Sequence, residues 1–281
     1  MKLLGRECLV SERIMDLFKK WYASIPSWTY NQSSDGAASS LCPTSSTSTQ
    51  HIDLKLSDFR SSVNYKGYGT VELFLFNPLD YPDESERHRR LDFLLESIVP
   101  SKFNWPAGVD ETRVLSPSYV EDEELGDEES LRADWGELRL TPNRVNFHSI
   151  RELALAHKCL RGKWILIYKP CDREKQDEDW VKIAQATAAG KLGMFAKVSV
   201  KLWEENYFTW VHIKDFTNKE EVMDLERKIR LLGVKGQMTF KPSVFTVLRI
   251  FAVNDWSLKV GIYTSYWDPV QNDSVIQDKT K

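Results

Sequence analysis

Cysteine is scarce in this chain, and what there is does not cluster. Cys8, Cys42, Cys159 and Cys171 stand far apart with no Cys-x-x-Cys pair, so neither a zinc motif nor a disulfide framework can be read. Widely spaced thiols suit a reducing compartment. Histidine is scarce too. None of His148, His157 and His212 has a Ser, Cys or Asp at a spacing that would make a nucleophile–base pair. His157 and Cys159 are two residues apart on a helical pattern, so they face different directions. No glycine-rich phosphate loop is present, because Gly190-x-x-Gly193 follows a helix signal instead of opening one. There is no apolar run long enough to cross a bilayer, and the opening Met1–Glu7 meets charge too early for a secretory leader. The net charge of −3 excludes indiscriminate binding to nucleic acid but leaves room for a local basic patch. These absences predict a non-enzymatic monomer without cofactor, metal or membrane anchor, cytoplasmic and with nuclear access.

What is present is a composition of 42% hydrophobic and 28% charged residues, enough to bury a core, with ten tryptophans. Within residues 1–30, Ile14, Leu17, Phe18, Trp21, Tyr22 and Ile25 recur at helical spacing, and Pro26 stops the pattern. Residues 31–50 shift to Ser, Thr, Gly and Ala, which predicts a disordered linker. Residues 51–268 then read as a single α+β domain, with residues 269–281 as a tail. Thr70–Phe76 is a strand, and Glu84–Val99 a helix with Leu91, Leu94, Leu95 and Ile98 inward. Seven carboxylates crowd Glu121–Glu129, and a run this dense without histidine predicts a solvated acidic loop over 120–134 instead of a metal site. Leu138-Arg139-Leu140 follows as a short strand pattern.

The densest alternation of helix and strand patterns runs from Phe147 to Tyr263. Ser149 and Glu152 form a capping-box pattern at a helix start, and Trp164–Tyr168 is a nearly all-apolar strand, hence central and covered. Asp177 is read as the cap of a second helix that Gly190 ends. Ala196, Val198, Val200 and Leu202 alternate with Lys197, Ser199, Lys201 and Trp203, giving a strand with one buried face and one polar, cationic face; Tyr207–Ile213 returns as its hairpin partner. Asn218 starts a third helix and Gly233 ends it. Val244–Val253 and Val260–Tyr266 read as closing strands.

Four pieces in this order resemble the cap-binding translation initiation factor 4E: Trp135–Leu140, Phe147–Leu153, Arg161–Leu166, and Val198–Lys201 followed by Trp210 and Asn218–Val222. More closely, Gly162-Lys163-Trp164, Gly190-Lys191-Leu192-Gly193 and Ala196-Lys197-Val198 resemble the basophilic-leukaemia-expressed protein family. The likeness to factor 4E spans about residues 65–265 and is carried by Trp135 to Phe251. It implies a curved, mainly antiparallel sheet backed by three helices on one face, and the basophilic-leukaemia-expressed family brings no settled activity. Residue by residue, the cap clamp transfers only in part. Trp135 stands near the first stacking position, one residue out of step, and Lys201 at the first phosphate-binding place. The second tryptophan and its neighbouring glutamate have no counterpart in His157–Arg161. Trp203 and Asn206 take the places of further cations, and Ala154 replaces the helix tryptophan that receives a scaffold peptide.

The reading that remains is a modified concave surface built from Trp135, Lys197, Lys201 and Trp203. Between Lys191 and Lys259 there are twelve Lys and Arg against eight acids, a local +4. Aromatic rings beside lysines suit single-stranded RNA or a nucleotide, each stacked base contributing about 1–3 kcal/mol. The alternative is a protein-interaction adaptor with no nucleic-acid ligand, working through the N-terminal helix or the acidic loop.

Overall fold

The computed structural model describes residues 60–62, 71–81, 83–103, 105, 109–119, 126–203 and 205–280. The helix signal in 1–30, the linker at 31–50 and the acidic residues up to 125 lie outside these. In chain order the elements are β1 (Arg60–Ser62), β2 (Val71–Phe76), α1 (Glu84–Ser97), β3 (Val109–Leu115), α2 (Glu128–Leu138), α3 (Phe147–Ala156), β4 (Gly162–Tyr168) and α4 (Arg173–Ala188). There follow β5 (Phe195–Ser199), β6 (Tyr207–Ile213), α5 (Lys219–Leu231), β7 (Met238–Pro242), α6 (Ser243–Val247), β8 (Tyr263–Asp268) and β9 (Asp273–Asp278). The strands form one sheet in the order β1-β2-β3-β5-β6-β4-β7-β8-β9. Every described pairing is antiparallel except β2–β3, where α1 supplies the crossover that a parallel pair needs. The chain is therefore α+β with a mainly antiparallel sheet.

Strand β4 sits inside the sheet, paired along its length with β6 and over most of it with β7. Trp164 and Leu166 are fully covered, and the Trp164 indole N–H donates to the Val222 carbonyl of α5 at 2.9 Å. Helix α4 lies across β3, β5, β6 and β4, contributing Trp180, Ile183, Ala184 and Ala188 to the core. Helix α5 adds Val222, Leu225 and Ile229, α3 adds Ile150 and Ala154, and α1 adds Leu91, Leu94 and Leu95.

Several elements depart from the sequence expectation for identifiable reasons. The acidic run ends in a helix: Asp127 caps α2 by accepting from the Ser130 N–H at 3.0 Å, and Glu128 and Glu129 favour its positive N-terminus. Leu131 and Trp135, four apart, are its buried stripe, so Leu138 belongs to that helix and Leu140 to the turn after it, not to a strand. Helix α3 starts two residues before Ser149, because Asn146 is the cap and Ser149 its reciprocal partner in the box. Asp177 is not a cap. It lies inside α4, its carboxylate accepting from the Ser101 N–H at 3.1 Å and from the Ser101 hydroxyl. Val244–Val253 is no strand, since Val244, Phe245 and Leu248 are buried at helical spacing and Arg249 turns the chain at positive φ. The segment expected as a tail contains β9, which pairs with β8 from Tyr263↔Asp278 to Asp268↔Asp273.

Two glycines separate strain from crowding. A methyl at Gly193 would lie 2.1 Å from the His212 carbonyl oxygen, which is fixed by the Met194 N–H at 2.8 Å. A methyl at Gly233 would meet nothing within 4 Å, although φ is +83°. Gly233→Ala should cost about 1 kcal/mol for its left-handed backbone, and Gly193→Ala about 2–3 kcal/mol because the β5–β6 edge must also shift. Denaturant unfolding of both variants checks the order, and equal losses would show that Gly193 is not crowded.

Candidate functional site

Cross-strand partners in a sheet point to the same side, so the register fixes which side chains share a face. On the side of Trp164 lie Val211, Phe240, Ala196 and Val198, all in the main core. The opposite side carries a row of basic residues. Arg113 of β3 pairs with Lys197 of β5; His212 of β6 pairs with Lys163 of β4; Lys163 pairs in turn with Lys241 of β7. Phe195 of β5 closes the gap, its ring 4.1 Å from the His212 imidazole and nearly parallel to it. Arg161 extends the row, because the Ser243 N–H donates to its carbonyl at 2.7 Å and continues the β4–β7 ladder by one step.

These groups are largely out of water. Arg113, Lys197, His212 and Lys241 are 4%, 8%, 7% and 3% exposed. Aromatic rings flank them: Arg113 lies 5.5 Å from the Phe195 centroid and 5.8 Å from that of Tyr119, and Lys241 lies 5.6 Å from that of Phe251. Glu111 joins the row through Lys197, with Nζ and Oε1 3.4 Å apart. The excess of positive charge has consequences for proton binding. Burial, and then the charge of Lys197, push the Lys163 ammonium down to about 8 against the opposing pull of Glu111. Burial, and then Lys163, push Lys241 down to about 7. Burial, followed by Lys163, Lys197, Arg161 and Arg113, holds the His212 imidazole well below its ordinary range and hence neutral. Perturbed groups gather at functional sites, and buried structural networks perturb them too.

The four residues singled out from the sequence are dispersed. Lys197 stands in the row, buried instead of solvated as its strand pattern suggested, since all of β5 is covered. Lys201, just beyond β5, is exposed, with Nζ 3.3 Å from Asp110 Oδ1. Trp203 is half-buried at the hairpin turn, its backbone exchanging hydrogen bonds with Asn206. Trp135 is 6% exposed on α2, edge-on to Trp256 with centroids 4.8 Å apart, so its faces are not open to a base. Arg113, Arg161, Lys163, His212 and Lys241 were missed. For Lys163, His212 and Lys241 the signal was a lone basic residue near the end of an apolar strand; Arg113, inside the polar strand β3, and Arg161, just before β4, carried none.

Other reactive groups sit elsewhere. His157 Nε2 lies 2.8 Å from Asp134 Oδ2, joining α3 to α2 at the surface. Burial pushes the Cys159 thiol up to about 11, which keeps it protonated and unreactive. Among the described residues no group of three or more His, Cys, Asp or Glu could hold a metal, and no helix is long and apolar enough to cross a membrane.

An α+β scaffold with a cationic sheet face is the class these features define. Residues 129–249 match the model of the family described as basophilic leukemia-expressed protein Bles03, the family whose segments the sequence resembles. Solved structures similar to the chain include Ascaris suum eIF4E-3 in complex with the m2,2,7G cap and with the m7G cap. Each is 12% identical and covers 30% of this chain and 52% of that one, with a TM-score of 0.26. C. elegans eIF4E-3 with the 4E-binding protein Mextli is 12% identical, covering 32% and 56%, with a TM-score of 0.27. The chain thus spans about half the length of the structures it matches.

The depressed lysines set a pH dependence. Between about 7 and 10.5 the unfolded chain holds protons on these lysines that the folded chain has released, so stability rises with pH across that window. Lys163→Met removes one such group together with its repulsion of Lys241. It should raise the stability at pH 7 by about 1 kcal/mol and flatten the rise toward pH 9. Thermal melts at pH 6.5, 7.5 and 8.5 check both effects; a variant that melts lower at every pH would show that Lys163 is compensated in the fold.

Proposed function

We propose that the chain is a non-enzymatic binding protein of the cytosol whose cationic sheet face takes RNA or a nucleotide. The observation that carries this reading is the row Arg113–Lys197–His212–Lys163–Lys241, which concentrates positive charge on one side of a chain that is acidic overall. Phosphate oxygens are the complement of such a row, since charge-assisted hydrogen bonds from Arg and Lys are the strong ones. Since the row itself is nearly covered, the exposed Lys201 next to β5 is where a phosphate backbone would make first contact. An enzyme is disfavoured by the chemistry at hand: the neutral His212 has cations around it and no described carboxylate to orient it, and the Cys159 thiol is protonated.

Tryptophan fluorescence reads binding directly, because Trp210 shares its face of the sheet with Lys197. Titration with a single-stranded RNA oligonucleotide should quench emission, with an affinity that falls steeply between 50 and 200 mM salt, the range over which phosphate contacts are screened, at about ten-fold or more. Lys201→Glu should weaken binding several-fold and lower the salt slope by about one. A titration unchanged by that substitution, or insensitive to salt, would remove the reading.

A further inference from the structure

The two ends of the sheet are unlike. Strand β1 is three residues long, whereas β9 runs for six and pairs with β8 without a register shift. Among the described residues β9 has no strand on its other side, and neither proline nor bulge, two usual protections of an exposed edge, interrupts it. Its outward groups can be assigned. The Lys279 N–H donates to the Ile262 carbonyl at 2.8 Å, one step beyond the Tyr263↔Asp278 pair. Antiparallel strands alternate between residues that bond the neighbour and residues that face away from it. Asp273, Val275, Gln277 and Lys279 therefore bond toward β8, while Ser274, Ile276 and Asp278 turn their N–H and C=O groups outward. The side chains of these three are held from the helix side. Ser274 Oγ donates to Glu226 Oε2 at 3.3 Å, Ile276 packs on the main core, and Asp278 Oδ2 lies 2.8 Å from Lys219 Nζ. The edge is fixed in place before anything pairs with it.

We propose that β9 is a self-complementary edge through which two copies of this chain pair antiparallel about a twofold axis at Ile276, joining their sheets into one. Such a dimer replaces the monomer expected from the sequence and does not depend on the cationic face. The axis at Ile276 sets Ser274 against Asp278 of the second copy and Ile276 against Ile276, so outward groups meet outward groups throughout. Between these pairs Val275 meets Gln277, and Asp273 meets Lys279, in the positions where cross-strand side chains stand closest. The twofold repeats the Asp273–Lys279 pairing at both ends. Neighbouring registers lose this match. An axis between Val275 and Ile276 opposes outward groups to inward ones and sets Asp273 against Asp278. An axis on Val275 leaves Asp273 facing Gln277 and brings Asp278 to Asn272, which sits at φ +52° in the turn. In the single chain the Ser274 N–H donates to Asp273 Oδ1 at 2.7 Å. Pairing passes that N–H to the Asp278 carbonyl of the second copy and frees the carboxylate for Lys279. Burial and then the charge of Lys259 hold the Lys279 ammonium below its ordinary range, and an opposing carboxylate relieves that.

The test is sedimentation velocity of the full chain from about 1 to 100 µM, which should show a monomer passing to a dimer as concentration rises. Asp273→Lys and Lys279→Asp should each weaken the dimer about ten-fold or more, since each turns two attractions into two repulsions. The double variant Asp273→Lys with Lys279→Asp should restore it to within about three-fold. Ile276→Pro should abolish it while the melting temperature of the dilute chain holds, because the N–H it removes faces away from β8. Hydrogen exchange of the unmodified chain gives a readout free of any variant: the Ile276 and Asp278 amides should gain protection as the concentration rises. A chain that stays monomeric across the range would overturn the proposal, and protection of those amides in that monomer would show that another part of the same chain covers the edge. A dimer that the single charge reversals leave unchanged, or that the double reversal does not restore, would overturn it as well.

Discussion

A charge taken out of water must be paired or hydrogen-bonded, and helices α4 and α5 meet that demand through dense networks. Glu226 and Arg230 of α5 pair at 2.9 Å. Ser265 of β8 donates to that glutamate and accepts from that guanidinium, and the Arg230 Nη1 also reaches the carbonyls of Val234 and Gly236. Asp179 of α4 takes Lys175 Nζ at 2.8 Å and the Tyr168 hydroxyl at 3.2 Å. Arg173 opens α4 by donating to the carbonyls of Pro100, Ser199 and Val200 while lying 3.7 Å from the Tyr207 centroid. These networks fix α4 against β5 and β6 and α5 against β8. The hydrophobic core alone would fill the space between them without dictating the register.

Register matters here because side chains alternate with period two, and a slip of one residue along β4 would exchange its faces. Lys163 would then enter the core and Trp164 the cationic side. Two devices prevent this. The Trp164 indole has one acceptor, the Val222 carbonyl, and Gly162 admits the Phe240 ring so closely that an added methyl would lie 2.4 Å from its tip. The cationic row is thus a consequence of how the opposite face is locked. The helix-side networks set, through the register, which side chains reach the other face.

The sequence disclosed most of the scaffold and little of the site. Strand β4, the β5–β6 hairpin, and α5 with its Asn218 cap and Gly233 stop were legible because each shows its own periodicity or punctuation. Val244–Val253 misled because an apolar run has no face of its own to betray its period, and Pro242 starts a helix as readily as it ends a strand. Trp135 misled differently: it was placed by likeness to a strand, but the Leu131–Trp135 spacing belongs to a helix. The cationic row could not be read because it is a property of pairing. Arg113, Lys197, His212, Lys163 and Lys241 come from five strands spread over more than a hundred residues, and only the ladder brings them side by side.

The position of Trp135 also bears on what such a face could discriminate. A base-reading site needs an aromatic face left open, and the rings beside the cations are engaged. Phe195 stacks on His212 and meets Tyr119 edge-on, while Phe208 stacks with Trp210 at 5.6 Å. The indole that the resemblance placed near a stacking position is instead packed against Trp256. An RNA or nucleotide of the kind proposed would therefore be held on this face through its phosphates, with the base contributing little.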